Sequence, residues 1–185
     1  STLTGNTISN NSATSTNNTA YGGGVYLSGV GTLNLTGNTI SDNSATSGSY
    51  AYGGGIYWDG GTLNLTDNNI SNNSIVGNDT VYAGGLFLTN LRSFDFTNNV
   101  VTNNTSNQQK GVALYVDSFY SGTYVRKIEE NLITGNSSIG TENTSAIYLK
   151  VNNFDSFTKN TLHANNTIFD LEVSFSAGKT LVASE

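Results

Sequence analysis

The 185-residue chain predicts an all-β fold: a parallel β-helix, or solenoid, of about six coils of about 31 residues with three short strands each. Three observations lead there. An apolar-x-x-Asn step recurs along the whole chain. A second asparagine stands five residues before each of those asparagines. A glycine-led apolar segment falls between the blocks.

The recurring step is Ile8…Asn11, Ile40…Asn43, Ile70…Asn73, Val101…Asn104, Ile133…Asn136 and Leu162…Asn165. Five intervals from Ile8 to Leu162 give the mean period of about 31 residues. The earlier asparagines are Asn6, Asn38, Asn68, Asn99, Asn131 and Asn160, each three residues after an apolar residue (Leu3, Leu35, Leu65, Phe96, Ile128, Phe157). Asparagine tolerates the left-handed backbone of a tight bend. Stacked copies can also hydrogen-bond amide to amide along an axis. Both columns are therefore expected to be structural ladders.

The glycine-led segment reads Gly-Gly-Gly-Val25-Tyr-Leu27, Gly-Gly-Gly-Ile56-Tyr-Trp58 and Ala-Gly-Gly-Leu86-Phe-Leu88, then decays to Leu114-Tyr-Val116 and Ile147-Tyr-Leu149. This segment and Leu33-Asn-Leu35 show the period-2 alternation of strands, and none has the length or period of a helix. With no hairpin signal between them, each strand is expected to pair with its equivalent one coil away, about 4.8 Å distant. A single coil cannot bury its own apolar face, so stacking must supply the core. Six coils would span about 30 Å.

Charge and composition narrow the function. The net charge is −6, and the first basic residue is Arg92. A nucleic-acid face needs clustered Lys and Arg, so nucleic acid is excluded as a partner. No apolar run approaches the roughly 20 residues of a membrane span, so no membrane insertion of this segment is expected. The chain has no cysteine, which rules out disulfides and thiolate chemistry. It opens at Ser1 part-way through a coil, so we read residues 1–185 as one β-helix domain cut from a larger protein. Phe169–Phe175 reads as a last strand, and 176–185 as a tail or cap.

If Val25 and Leu27 point inward, Tyr26 points outward, and so do Tyr57, Phe87, Tyr115 and Tyr148. That predicts a ligand-binding aromatic stripe with one ring per coil, beside a shorter column of Tyr21, Tyr52 and Tyr82. Exposed apolar patches mark interaction sites, and sugar C–H faces stack on rings, so glycan binding is the sharp expectation. The alternative is that the Ser/Thr/Asn-rich spacers at 14–20, 46–51 and 76–81 fold over the stripe. An outward Thr array (Thr32, Thr36, Thr62, Thr66) degenerates after two coils, which argues against ice binding. Asn-x-Ser/Thr sequons at Asn10, Asn17, Asn34, Asn64, Asn72, Asn78, Asn103, Asn136 and Asn143 would allow a glycoprotein.

Catalytic groups are sparse. Asp42, Asp59, Asp67 and Asp79 scatter through turns. Asp95, Arg126, Lys127 and Asp155, with Glu130 beside Lys159, align on successive coils, where cross-strand ion pairing accounts for them. His163 is the single histidine; without a partner His or Cys it does not signal a metal. No catalytic residue, metal or cofactor is expected.

The run Ile-x-x-Asn-Ser-Ala, a variable spacer and Gly-Gly-Gly-Ile-Tyr resembles the repeat of the chlamydial polymorphic outer membrane proteins, summarised as FxxN and GGAI, with Ile mostly in place of Phe. Similar repeats occur in adhesin-like surface proteins of bacteria and methanogenic archaea. The likeness is clearest over residues 1–105. It implies a right-handed, pectin-lyase-like β-helix and an extracellular or cell-surface location. The expected partners are glycans, a host or neighbouring cell surface, or other copies of the chain. A carbohydrate-active enzyme of this fold and a surface-layer or filament component are the alternatives.

Overall fold

A computed structural model describes residues 1–29, 31–107, 110–118, 125–140, 144–152, 155–167, 169–175 and 183–184. The 176–185 tail and the Asn143 sequon lie almost wholly outside the described residues. Those residues form strands, turns and bends with no helix. They wind as a parallel β-solenoid of about five turns about 31 residues apart.

The second turn shows the plan: Thr32–Thr36, Thr39–Ser41, Ser44–Ser47, Ala51–Tyr52 and Ile56–Asp59. Each strand pairs in parallel with its equivalent in the neighbouring turns, giving sheets of seven, six, five, three and six strands along this path. A full turn therefore carries five short strands where the sequence suggested three. The two extra ones come from the spacer, whose Ala45 and Ala51 turn inward and are buried.

The interior is filled by side chains stacked in register. Leu33 and Leu35 lie under Leu63 and Leu65, which lie under Phe94 and Phe96. Ile40, Ile70, Val101 and Ile133 make another column, and Ile56, Leu86, Leu114 and Ile147 a third. All of these are essentially without solvent exposure. The alternation read from Leu33-Asn-Leu35 holds: Leu inside, Asn34 half-exposed outside.

The register also places the charged residues. Asp95 and Lys127 are neighbours, and Lys159 Nζ lies 2.9 Å from Glu130 on the surface. Arg126 departs from the outward cluster expected of it. It succeeds Leu33, Leu63 and Phe94 in an inward column and is fully buried, because period-2 alternation turns it opposite to Lys127. Its backbone N–H donates to Asp155 Oδ2 at 2.9 Å.

Candidate functional site

Both asparagine columns form continuous ladders. In one, Asn38 Nδ2 donates to Asn68 Oδ1, Asn68 to Asn99 and Asn99 to Asn131, at 3.0–3.1 Å. Asn6 feeds into its start and Asn160 accepts at its end. In the other, Asn11, Asn43, Asn73, Asn104, Asn136 and Asn165 are linked in the same way. The backbone N–H of each donor residue shares the same acceptor oxygen, as with Asn43 N to Asn73 Oδ1 at 3.1 Å. The second Nδ2 hydrogen goes to a carbonyl of the coil before: Asn73 to Ile40 O at 2.9 Å, Asn99 to Leu65 O at 2.9 Å. The central members are buried, and these bonds satisfy the backbone at each bend.

The left-handed backbone is not on the ladder residues themselves. Positive φ falls one residue earlier, at Asn10, Asp42, Asn72, Asn103 and Gly135 in one column and at Gly5, Gly37, Asp67, Asn98 and Glu130 in the other. The ladder asparagine needs its side chain turned inward, so the preceding residue makes the bend. The glycine motif serves the same packing. A Cβ on Gly54 would lie 2.4 Å from the Gly84 and Ser74 carbonyl oxygens, and one on Gly55 3.0 Å from the Asn73 amide. Among the sequons, Asn136 is buried in its ladder and closed to glycosylation, whereas Asn10, Asn17, Asn72, Asn78 and Asn103 are exposed.

The aromatic stripe is built in register as expected. Tyr26, Tyr57, Phe87, Tyr115 and Tyr148 stand one above another on the outer face of their sheet. It is not an open surface, however. Tyr26 is 55% exposed, while the other four are at 9% or less. Neighbouring rings stack on each other, Tyr57 on Phe87 at 5.6 Å and 9°, Phe87 on Tyr115 at 5.1 Å and 18°. Their flanks are covered by Tyr52, Tyr82 and Ala83. Tyr21 meets Tyr57 edge-on at 4.8 Å, and Tyr82 stacks on Tyr115 at 4.4 Å. The cover is thus the second tyrosine column, carried over the stripe at the end of each spacer.

What remains open is a groove of about 320 Å³ lined by Tyr21, Tyr52, Tyr57, Tyr82, Phe87, Asp59, Thr89, Asn90 and Asp117. Its size is at the small end of ligand sites, which run from about 300 to 1,000 Å³. The sheet explains the lining. Two residues beyond each stripe ring, on the same face, the register reads Ser28, Asp59, Thr89, Asp117 and Lys150. The covering tyrosines form one wall, and Asp59, Thr89 and Asp117 of this column form the other. Asn90 Nδ2 donates to Asp59 Oδ1 at 2.8 Å, and Lys150 Nζ lies 3.4 Å from Asp117 Oδ2.

Burial, reinforced by Asp59, pushes the Tyr57 phenol far above its ordinary value, and burial with Tyr82 and Asp117 does the same to Tyr115. Both phenols stay neutral, able to donate. The sequence reading passed over Asp59 as a turn residue and did not consider Asp117. The signal that finds them is their i+2 spacing from a stripe ring.

The far end of the stripe is closed. Lys110 takes the register position of the covering tyrosines, after Tyr82, and Glu172 succeeds Tyr148 in the stripe. Lys110 Nζ lies 2.6 Å from Glu172 and 4.5 Å from the Tyr148 ring centre. Burial lowers its pKa, but the Glu172 hydrogen bond and the neighbouring Tyr148 and Glu172 charges more than offset this and hold it above the usual lysine value. His163 is exposed and in register with Thr134. Among the described residues no group of three or more His, Cys, Asp or Glu is placed to hold a metal, and no helix is long and apolar enough to cross a membrane.

No family model matches the chain, and no curated protein or solved structure matches it.

Proposed function

We propose that the chain is a non-enzymatic, stiff presenting segment of a secreted or cell-surface adhesin-like protein, and that its groove contacts a glycan of a neighbouring surface. The observation that carries the stalk is the uninterrupted pair of asparagine ladders that climb from coil to coil at two bends of the solenoid. A stack tied coil to coil by backbone and side-chain amides resists bending, as a projecting spacer must. The likeness of the repeat to polymorphic outer membrane proteins supports the surface role and a right-handed, pectin-lyase-like winding. The groove supports contact with sugars, since phenols, carboxylates, Thr89 and Asn90 offer hydrogen bonds to hydroxyl groups beside apolar ring surface.

One observation favours the enzyme alternative: Asp59 and Asp117 line one groove two turns apart, about 10 Å by strand spacing. Inverting glycosidases hold their carboxyls about 6.5–9.5 Å apart. Here both are already engaged, Asp59 by Asn90 and Asp117 by Lys150, which favours a binding role.

A glycan array probed with this chain and with a Tyr21→Ala/Asn90→Ala variant tests the reading. Both changes are at exposed rim positions, and circular dichroism checks that the variant keeps the fold. Binding that is lost in the variant supports a glycan-contacting stalk. No binding by either leaves the segment a spacer without a recognition site.

A further inference from the structure

The groove and the closed end of the stripe are built from the same parts. At the closed end, an aromatic ring (Tyr148) and a carboxylate (Glu172) hold the ammonium of Lys110 between them. In the groove, Phe87 two turns and Tyr57 three turns back from Tyr148 along the same sheet lie beside the Asp59 carboxylate. Lys110 is the register successor of Tyr82, so the wall that supplies an ammonium at the closed end supplies phenols here.

Charge points the same way. Asp59 has no ion pair among the described residues, and its hydrogen bond from Asn90 uses one oxygen. No Lys or Arg lines the groove. Phenol oxygens accept hydrogen bonds from a cation, and rings add cation–π attraction where a face is reachable. A neutral sugar would leave the charge of Asp59 unanswered; an ammonium would form a charge-assisted bond with it.

We propose that the groove takes a glycan bearing free amines, with an ammonium seated against Asp59 as Lys110 sits against Glu172 at the closed end. This rests on the reading of the groove as a glycan site and adds the chemistry of the ligand. The groove extends from Tyr21 to Asp117, three turns or about 14 Å along the axis, which suits an oligomer rather than one ring.

The test is calorimetric titration of the chain with three probes: a glucosamine oligomer, its N-acetylated counterpart of equal length, and oligolysine. Each is repeated with Asp59→Asn, which keeps an acceptor for Asn90. The expected result is that the glucosamine oligomer binds at least about ten-fold tighter than the other two, and that Asp59→Asn removes this preference. Equal binding of both sugars, abolished by Tyr21→Ala/Asn90→Ala, would overturn the ammonium and leave the glycan site standing. Oligolysine binding as tightly as the glucosamine oligomer would overturn the glycan reading. An amine preference untouched by Asp59→Asn would put the recognition elsewhere and overturn the assignment. Binding of none of the three would overturn both readings.

Discussion

The asparagine columns and the aromatic columns are each made by stacking a residue on its copy one turn away, yet they differ along the chain. The ladders are uniform from Asn6 to Asn160 and from Asn11 to Asn165. The aromatic face changes: open at Tyr21 and Tyr26, grooved at Tyr57 and Phe87, closed by Lys110 and Glu172. The ladders sit where buried backbone groups have no other partner, so little variation is tolerated. The aromatic face lies outside the main core, where side chains can vary without interrupting the stack. The difference separates what holds the solenoid together from what it offers to a ligand.

The sharpest way to break this contrast is Asn73→Ala. It leaves the Asn43 backbone N–H and one Asn43 Nδ2 hydrogen without their acceptor in a buried site. At about 1–3 kcal/mol for each orphaned group, the expected loss is about 4 kcal/mol in chemical denaturation. Asn11→Ala, at the exposed start of the same ladder, should cost under about 1 kcal/mol. Equal losses would show that burial is not what gives the ladder its strength.

On the aromatic face, Phe87→Ala should cost about 3 kcal/mol, since the ring is buried between Tyr57 and Tyr115. Tyr26→Ala should cost under about 0.5 kcal/mol. Similar values for the two would mean that the stripe is open along its length.

Alkaline pH probes the same rings. Tyr52, Tyr57 and Tyr115 are held above the ordinary phenol value first by burial. The unfolded chain therefore releases these protons first as pH rises. Their stabilisation is complete below the unfolded value of about 10 and is lost as pH rises through the folded values. Stability followed by denaturation should be flat from pH 8 to 10 and fall above it. Tyr57→Phe/Tyr115→Phe should reduce that fall. At the closed end, Lys110→Met should cost about 1 kcal/mol, from the loss of a partly exposed ion pair and cation–π contact.

Much of this contrast was legible in the sequence. Six asparagines at a constant offset from six others have few explanations other than stacking, and Leu33-Asn-Leu35 announces its inward and outward sides. Ser44–Ser47 and Ala51–Tyr52 were not legible as strands. They are short and rich in small residues, and only pairing with the next turn identifies them. The stripe was legible as a column, and a cover from the spacers was one of its two readings; that the cover is Tyr52 and Tyr82 was not, because the path of the spacer decides where they fall. Arg126 was misplaced because charge was weighed above the alternation that turns it inward. Asp59 reads as the start of the Gly60-Gly61 turn until register sets it beside Thr89 and Asp117.

The most direct test of the central claim, that buried side-chain amide ladders hold the coils together, is hydrogen exchange of the asparagine Nδ2 groups followed by NMR. At least one Nδ2 hydrogen each of Asn38, Asn43, Asn68, Asn73, Asn99 and Asn104 should exchange far more slowly than those of the exposed Asn17 and Asn18. Uniformly fast exchange at all of these positions would contradict the account.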